Sequence, residues 1–428
     1  EAHKKDRKQN DIHTKGDYMS KVSFMTKNFH RYDPMSIESY LAIGGFNALK
    51  KAVTMDGEDI ASLLSEAQIK GRGGAAYPTG RKWGQLARID GSPKYIVCNA
   101  DEGEPGTFKD QILLEKNPYS VIEGMTIAGR VFGSPKGIIY VRGEYPEEFG
   151  ILRACLEQAR EAGLLGRGVL GIEGFDYDID TVAGGGAYVC GENSAMLNSI
   201  EGKPGRPRIK PPHLAEVGLH GKPTLVNNVE SYADVTLVLA NGGEHYRDQG
   251  SEHGGGMKLI SLCGHVAHPG VYEVPFGRYT LRELIWAPEF GGGVVGGGFG
   301  FVHCGGHSGP IGFEGCLDAP YDYDDEWSGG KAIGSGAIVV MNETVDVVDY
   351  LRQVMVFFRK ESCGKCTPCR LGTTRVWEVL ERLRTTTEQV HKLSACGLGE
   401  SIDVPVLSAL DGAPAAFEAA LAKEPSHV

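Results

Sequence analysis

Residues 94–106 read Lys-Tyr-Ile-Val-Cys-Asn-Ala-Asp-Glu-Gly-Glu-Pro-Gly. The first half is a short apolar run and the second a polar turn, so the stretch predicts a strand that ends in a loop bearing Asp101, Glu102 and Glu104. The same grammar continues downstream. Further strand candidates lie at 136–142 and 178–182, whereas 146–162 places Phe149, Leu152, Cys155, Leu156 and Ala159 at helical spacing. A helix opens at 193–200 after a glycine turn, and 227–240 carries the pattern of another. Strands alternating with helices of this length predict a layered α/β domain whose ligands sit at the strand C-termini. In that position the three carboxylates could accept hydrogen bonds from ribose or ribityl hydroxyls. The ordinary reading of such a loop is a solvated acidic turn.

Beyond residue 250 the pattern changes. Short strands at 258–263, 270–274, 299–303 and 337–341, with one helix near 280–285, predict a small α+β module. From 344 the chain reads as helical, apolar on a broad face over 345–358. The division is therefore a charged tail or linker at 1–36, an α/β domain at 37–250, a module at 251–341 and a helical domain at 342–428.

Composition bounds the function classes. The 428 residues are 41% hydrophobic and 23% charged, as expected of a globular protein with several cores. No stretch approaches the ~18 consecutive apolar residues of a membrane helix. A net charge of −11 without a basic, aromatic-interleaved stripe speaks against nucleic acid as a partner. Ten cysteines are too few for a disulfide scaffold, and Cys98, Cys155, Cys190, Cys263, Cys304 and Cys316 read as small buried hydrophobes. That usage suits a reducing compartment, and the expected location is the cytoplasm.

Glycine is the outlier, at 61 residues in clusters. Residues 71–83 read Gly-Arg-Gly-Gly-Ala-Ala-Tyr-Pro-Thr-Gly-Arg-Lys-Trp, and such a loop, with the cations Arg72 and Lys82, could cradle a phosphate. Its spacing matches neither a Walker loop nor a dinucleotide fingerprint, and an ordinary flexible loop is an equal reading. Residues 184–194, Gly-Gly-Gly-Ala-Tyr-Val-Cys-Gly-Glu-Asn-Ser, could turn backbone amides toward a planar ring or a phosphate. Asn227 and Asn228 read as a helix cap or as ligand contacts.

The sharpest chemical signal is Cys363, Cys366 and Cys369 at two-residue gaps, followed by Cys396 in Ala-Cys-Gly-Leu-Gly. This is the spacing of an iron–sulfur cluster; zinc usually takes two separate pairs. A structural zinc or a set of redox-labile thiols are the alternatives.

Taken in order, GRGGAAYPTGRKW, CNADEGEPGTFKD, YVCGENSAMLNSIEGK, KPTLVNNVESYA, SCGKCTPCR and CGLG resemble the flavin-bearing 51-kDa, F-type subunit of complex I NADH dehydrogenase. The diaphorase-type subunits of soluble NAD-linked hydrogenases and formate dehydrogenases are similar. The resemblance implies a Rossmann-like FMN domain, a ubiquitin-like β-grasp (SLBB-type) module and a helical bundle with a 4Fe-4S cluster on Cys363, Cys366, Cys369 and Cys396. It implies that Gly71, Arg72, Gly73, Gly74 and Lys82 hold nucleotide and flavin phosphate. Asn99, Asp101, Glu102 and Glu104 would line the cofactor cavity, with Tyr188, Gly191 and Glu192 at the isoalloxazine and Asn227 and Asn228 on the flavin. Tyr77 and His213 would stack on a dinucleotide, and Lys210 would join the cofactor contacts. No acid–base residue is needed for the hydride step; Glu192 and Asn193 would tune the flavin.

Five residues depart from the family pattern: Ala76-Tyr77 stands for Gly-Phe, Gln85 for a Phe, Asn193 for a Glu, and His213 for another aromatic. The interval from Cys369 to Cys396 is also shorter than usual. The flavin site thus reads as intact and the nicotinamide site as altered, with weaker NADH binding and relaxed discrimination against NADPH expected. The implied activity is hydride exchange with NAD(H) and delivery of single electrons to Fe–S partner subunits. These are a thioredoxin-like 2Fe-2S subunit and a hydrogenase- or formate dehydrogenase-type catalytic subunit, without direct membrane insertion. The competing reading is a flavin and Fe–S conduit that no longer binds nicotinamide.

Overall fold

The computed structural model describes residues 23–378 and 383–423. Its first sheet is formed by β1 (Tyr95–Ala100), β2 (Lys136–Val141), β3 (Asp178–Ala183) and β4 (Thr224–Asn228), all parallel in the order β3-β2-β1-β4. A parallel sheet must be covered on both faces, and the period-two alternation of side chains serves both. Ile96, Cys98, Ile139, Val141 and Leu225 pack with the helices Pro118–Phe132, Pro146–Glu161 and Val229–Asn241. Val97, Ile138, Tyr140 and Val226 face the other way, onto Ala195, Met196 and Leu197 of the helix Asn193–Ile200.

One sequence expectation is corrected here. The helix expected over 227–240 begins only at Val229, because Asn227 and Asn228 continue β4 and pair with Cys98 and Asn99. Asn228 then caps the helix, its Oδ1 accepting from Glu230 N–H at 3.0 Å.

The second sheet is mixed: β5 (Met257–Gly264), β6 (Gly270–Pro275), β7 (Phe299–Cys304), β8 (Ile311–Gly312) and β9 (Ala337–Asn342), in the order β6-β5-β9-β7-β8. The central pair β5–β9 is parallel and the others antiparallel. The two-residue β8 had no signature in the sequence. The helix Leu281–Trp286 packs Leu281, Leu284 and Ile285 into this layer and is opened by a capping box between Thr280 and Glu283.

Helices follow from Val347–Glu361 to Pro414–Lys423, with Leu351, Val354, Phe358, Val376, Val390 and Val406 sharing one core. No helix among the described residues is long and apolar enough to cross a membrane.

Of the segment expected as a tail, residues 1–22 lie outside the described residues. From Phe24 onward the expectation fails. The amides of Phe24, Met25 and Thr26 and the Thr26 hydroxyl all donate to the buried Glu273 carboxylate on β6, at 2.7–3.2 Å. A carboxylate buried in a sheet needs such donors, and the chain before residue 37 supplies them.

Candidate functional site

The C-terminal ends of β1 and β4 open onto a cleft made of two adjoining cavities of about 680 and 610 Å³. Both are lined by Gly73, Asn99, Gly191, Asn228 and Cys396. The first adds Tyr77, Lys82, Asn193 and Lys210; the second adds Gly74, Asp101, Glu102, Glu104 and Tyr188. Glycine is required in the 71–74 loop by contact. A Cβ on Gly71 would lie 2.9 Å from the Tyr77 carbonyl, and one on Gly73 would lie 3.3 Å from Asn228 Cβ. Gly74 has φ +112°, a conformation side chains disfavour.

Arg72 is a correction. It lines the cleft, but its guanidinium turns inward: Nε donates to Asp234 at 3.0 Å, and a terminal nitrogen donates to the Gly255 carbonyl at 3.1 Å. A guanidinium this deep needs a carboxylate, so the charge expected on a phosphate is spent in the core. Lys82 does face the cleft. Its ammonium donates to the Val226 carbonyl at 2.8 Å, and burial, with Lys210 nearby, brings its pKa down to about 8.

The carboxylates of the β1 loop separate by environment. Glu102 accepts from the Asp110 and Gln111 amides and the Tyr145 hydroxyl at 2.9–3.1 Å, so it stabilises the start of the helix Lys109–Lys116. Glu104 is held by Tyr188 OH at 2.6 Å and Ser308 N–H at 2.9 Å; burial raises its pKa, and these two donors oppose the rise. Asp101 is buried, and its Oδ2 has no hydrogen-bond partner.

Opposite them, Glu192 caps the helix Asn193–Ile200, accepting from Ser194 and Ala195 amides at 3.0 and 2.9 Å and from Lys210 Nζ at 3.0 Å. Burial opposes its ionisation, but these donors win and its pKa falls. Asn99 Nδ2 bridges the Gly191 carbonyl at 2.8 Å and Asn193 Oδ1 at 3.1 Å, joining the end of β1 to the start of this helix.

Two expected contacts, Asn227 and His213, are not brought to the cleft, nor is the altered position Gln85. Asn227 is buried against Trp83, its amide oxygen placed to accept from the indole N–H at 2.9 Å. On a parallel strand Asn227 and Asn228 point to opposite faces, so only one of the pair can reach a ligand. His213 is exposed and lies outside the residues lining the two cavities, as does Gln85 on the outer face of the helix Thr79–Ala87.

Sequence reasoning also missed lining residues. Lys109 and Asp110 line the second cavity, with Asn228 Nδ2 donating to Asp110 at 2.6 Å and Lys109 paired to Asp110 and Glu230 at 2.6 and 2.9 Å. They belong to the run CNADEGEPGTFKD, downstream of the Asn99, Asp101, Glu102 and Glu104 that the motif itself points to. Lys365, between the first two cysteines of the triplet, lines the first cavity and donates to the Pro207 carbonyl.

Cys363 and Cys366 sit between the helices Val347–Glu361 and Thr367–Glu378, Cys369 in the second of these, and Cys396 heads Gly397–Glu400. Burial, then Cys366, Cys396 and Cys363, push the Cys369 thiol up to about 11. Each of the other three therefore lies within electrostatic reach of it. Yet among the described residues no three His, Cys, Asp or Glu side chains converge as a single metal ion requires. Four thiols, three at one helix junction and one at a helix cap, are the ligand type and number of an iron–sulfur cluster. The donor set fits the cluster. The glycine-lined cleft, with Lys82 and a free Asp101 oxygen inside it, fits a flavin nucleotide.

The model of the Nuo51 FMN-binding domain matches residues 64–237, and that of the NADH-ubiquinone oxidoreductase-F iron-sulfur binding region matches residues 349–420. The chain is 39% identical over 419 residues to the NADP-reducing hydrogenase subunit HndC of Solidesulfovibrio fructosivorans, covering 94% of this chain and 84% of that one. It is 41% identical over 377 residues to the F-type subunit of the NADH-quinone oxidoreductase of Aquifex aeolicus (strain VF5), covering 85% and 86% respectively. A chain of an NAD+-reducing NiFe-hydrogenase in its H2-reduced state superposes with a TM-score of 0.80 at 33% identity, over 91% of this chain and 67% of that chain. With sequence and structure agreeing over most of its length, the chain belongs to the family of the F-type subunits of NADH-quinone oxidoreductase and their hydrogenase counterparts.

Proposed function

We propose that this chain is the FMN- and 4Fe-4S-containing electron-transfer subunit of a multisubunit oxidoreductase, exchanging hydride with NAD(H) and passing single electrons to Fe–S partners. The observation that carries the reading is continuity. Cys396, a cluster ligand in this assignment, lines the same cleft as Gly73, Asn99, Gly191 and Asn228 at the sheet edge. FMN, when bound there, supplies the conversion between hydride pairs and single electrons.

The chain's own residues would bind, orient and shield. Gly71, Gly73 and Gly74 allow close backbone approach, and Lys82 brings positive charge to a phosphate. Asn228 and Asn99 present amides from the ends of β4 and β1. Tyr188, fixed by Glu104 and packed edge-on to Phe357 at 5.0 Å, would wall the flavin from solvent. Tyr77, 37% exposed with Arg81 over its ring, offers a stacking face at the mouth of the cleft. Lys210, tied to Glu192, sets positive charge beside it. Asn193 removes a carboxylate charge from this wall, which favours an approaching dinucleotide with an additional phosphate.

The same reading takes residues 251–341 as a β-grasp module, supported by the mixed five-stranded sheet with its single helix. It keeps the boundaries 37–250, 251–341 and 342–428 and a cytoplasmic site of action, and it expects a thioredoxin-like 2Fe-2S subunit as the next electron carrier.

Anaerobic titration of the FMN-loaded protein with NADH and with NADPH tests the proposal. Bleaching of the flavin by either nucleotide is the expected result, with the preference for NADH smaller than a carboxylate at 193 would impose. If neither nucleotide bleaches a bound flavin, the chain is an electron conduit without nicotinamide chemistry.

A further inference from the structure

Asp101 stands where β1 leaves the sheet and enters the cleft. It is 8% exposed, it lines the second cavity, and its Oδ2 has no hydrogen-bond partner. Its two acidic neighbours differ, since Glu102 and Glu104 are each fixed by several donors. Gly191 packs directly on this residue, since a Cβ there would lie 3.3 Å from the Asp101 carbonyl oxygen and 3.7 Å from Oδ2.

The charged and titratable groups facing Asp101 come from four places. Arg142 and Glu144 follow β2, Tyr140 lies within it, Cys190 precedes the Glu192 cap, and Glu361 ends the helix Val347–Glu361. Arg142 favours the carboxylate, but its guanidinium already bonds the Glu102 carbonyl and Glu144. Burial, reinforced by Glu144 and Glu361, outweighs Arg142 and lifts the Asp101 pKa to about 7. A buried carboxylate with one free oxygen is poorly solvated, so negative charge added to the cleft favours its protonation.

We propose that Asp101 is the redox-linked proton acceptor of the flavin site, taking one proton from solvent when the cleft gains negative charge and returning it when electrons leave. The inference rests on the flavin reading of the cleft. Hydride from NADH adds two electrons and one proton to the flavin, leaving one extra negative charge in a poorly solvated space. One solvent proton on the Asp101 carboxylate offsets it. As the two electrons depart singly through the thiolate-held cluster, that proton and the one carried by the hydride both return to solvent.

The test is redox-difference infrared spectroscopy of the FMN-loaded chain near neutral pH, with aspartate carrying a heavy-carbon carboxyl. Reduction should produce a protonated-carboxyl band that shifts with the aspartate label and is lost in Asp101→Asn. A break in the pH dependence of the flavin midpoint potential should disappear in the same variant. Should Asp101→Asn fail to hold flavin, Asp101→Glu replaces it, and the band must then become insensitive to the aspartate label. Reduced, flavin-bearing wild type without a label-sensitive band, or a band that survives both substitutions, overturns the proposal alone. A folded wild type that cannot be loaded with flavin overturns the reading of the cleft as well.

Discussion

At the scale of single residues, what a charged side chain does here depends on where its partners lie. Arg72 sits in a glycine loop that reads as a phosphate cradle, yet its guanidinium is fully buried against Asp234, with Glu230 at 3.9 Å. Replacing it with Met would leave a buried carboxylate without its cation, a loss of roughly 3–5 kcal/mol. Denaturant unfolding of Arg72→Met against wild type should show a midpoint shift of that size, and an unchanged midpoint would contradict the buried pairing. Glu201 gives a pH-dependent counterpart. Burial alone would raise its pKa, but Lys203, the His220 amide and Arg208, at 2.6–2.9 Å, bring it down to about 2. A folded pKa below the unfolded value means stability that is complete above the ordinary carboxylate range and is lost as pH falls toward the folded pKa. Glu201→Gln should therefore cost stability at neutral pH and progressively less in acid. Equal costs measured by unfolding at pH ~7 and pH ~3 would refute it. Lys203 lies two residues away, whereas Arg208 and the His220 amide reach Glu201 only once the chain folds.

At the scale of elements, the helix Pro118–Phe132 is buried on nearly every side, and its contact with Val229–Asn241 passes through Gly124. A Cβ there would run into the backbone carbonyl of Tyr232, which cannot swing aside. Gly124→Ala should cost about 1–3 kcal/mol or more by overpacking, although alanine is the better helix former. Thermal unfolding of that variant decides whether packing or propensity wins. The cysteine turn is the second informative element. Cys366→Ser should lose most of the cluster iron and sulfide, because the four thiolates supply the whole ligand set. Flavin should stay bound, since its proposed contacts come from the 71–74 loop, β1 and β4. Joint loss of iron and flavin would show that the two sites fold as one. The cysteine spacing was legible in the sequence because ligand order along a turn survives folding. The start of the helix after Asn228 was not legible, since capping and strand pairing use the same two asparagines.

At the scale of the whole molecule, the layers are joined by buried charge. Glu230 on the helix after β4 accepts from Lys258 Nζ at 2.7 Å and from the Leu259 amide at 2.8 Å, fastening the parallel sheet's domain to β5. Glu273 on β6 fastens residues 24–26 in turn. Glu273→Ala should release that segment, seen as faster amide exchange at Phe24–Thr26 with little change around the cleft; unchanged protection there would contradict the clasp. The sequence by itself determined the parallel α/β pattern of β1–β3, the helical C-terminal region, the four thiols and the glycine loop. Each of these is written in local periodicity or in fixed spacing, which the chain carries wherever it folds. Only the tertiary structure decided that Arg72 and Asn227 turn into the core, that His213 and Gln85 stay outside, and that Lys109 and Asp110 line the cleft. It alone left Asp101 with a free buried oxygen. Those outcomes depend on groups far apart in the chain, whose meeting sets desolvation and charge pairing, and neither quantity exists until the layers close.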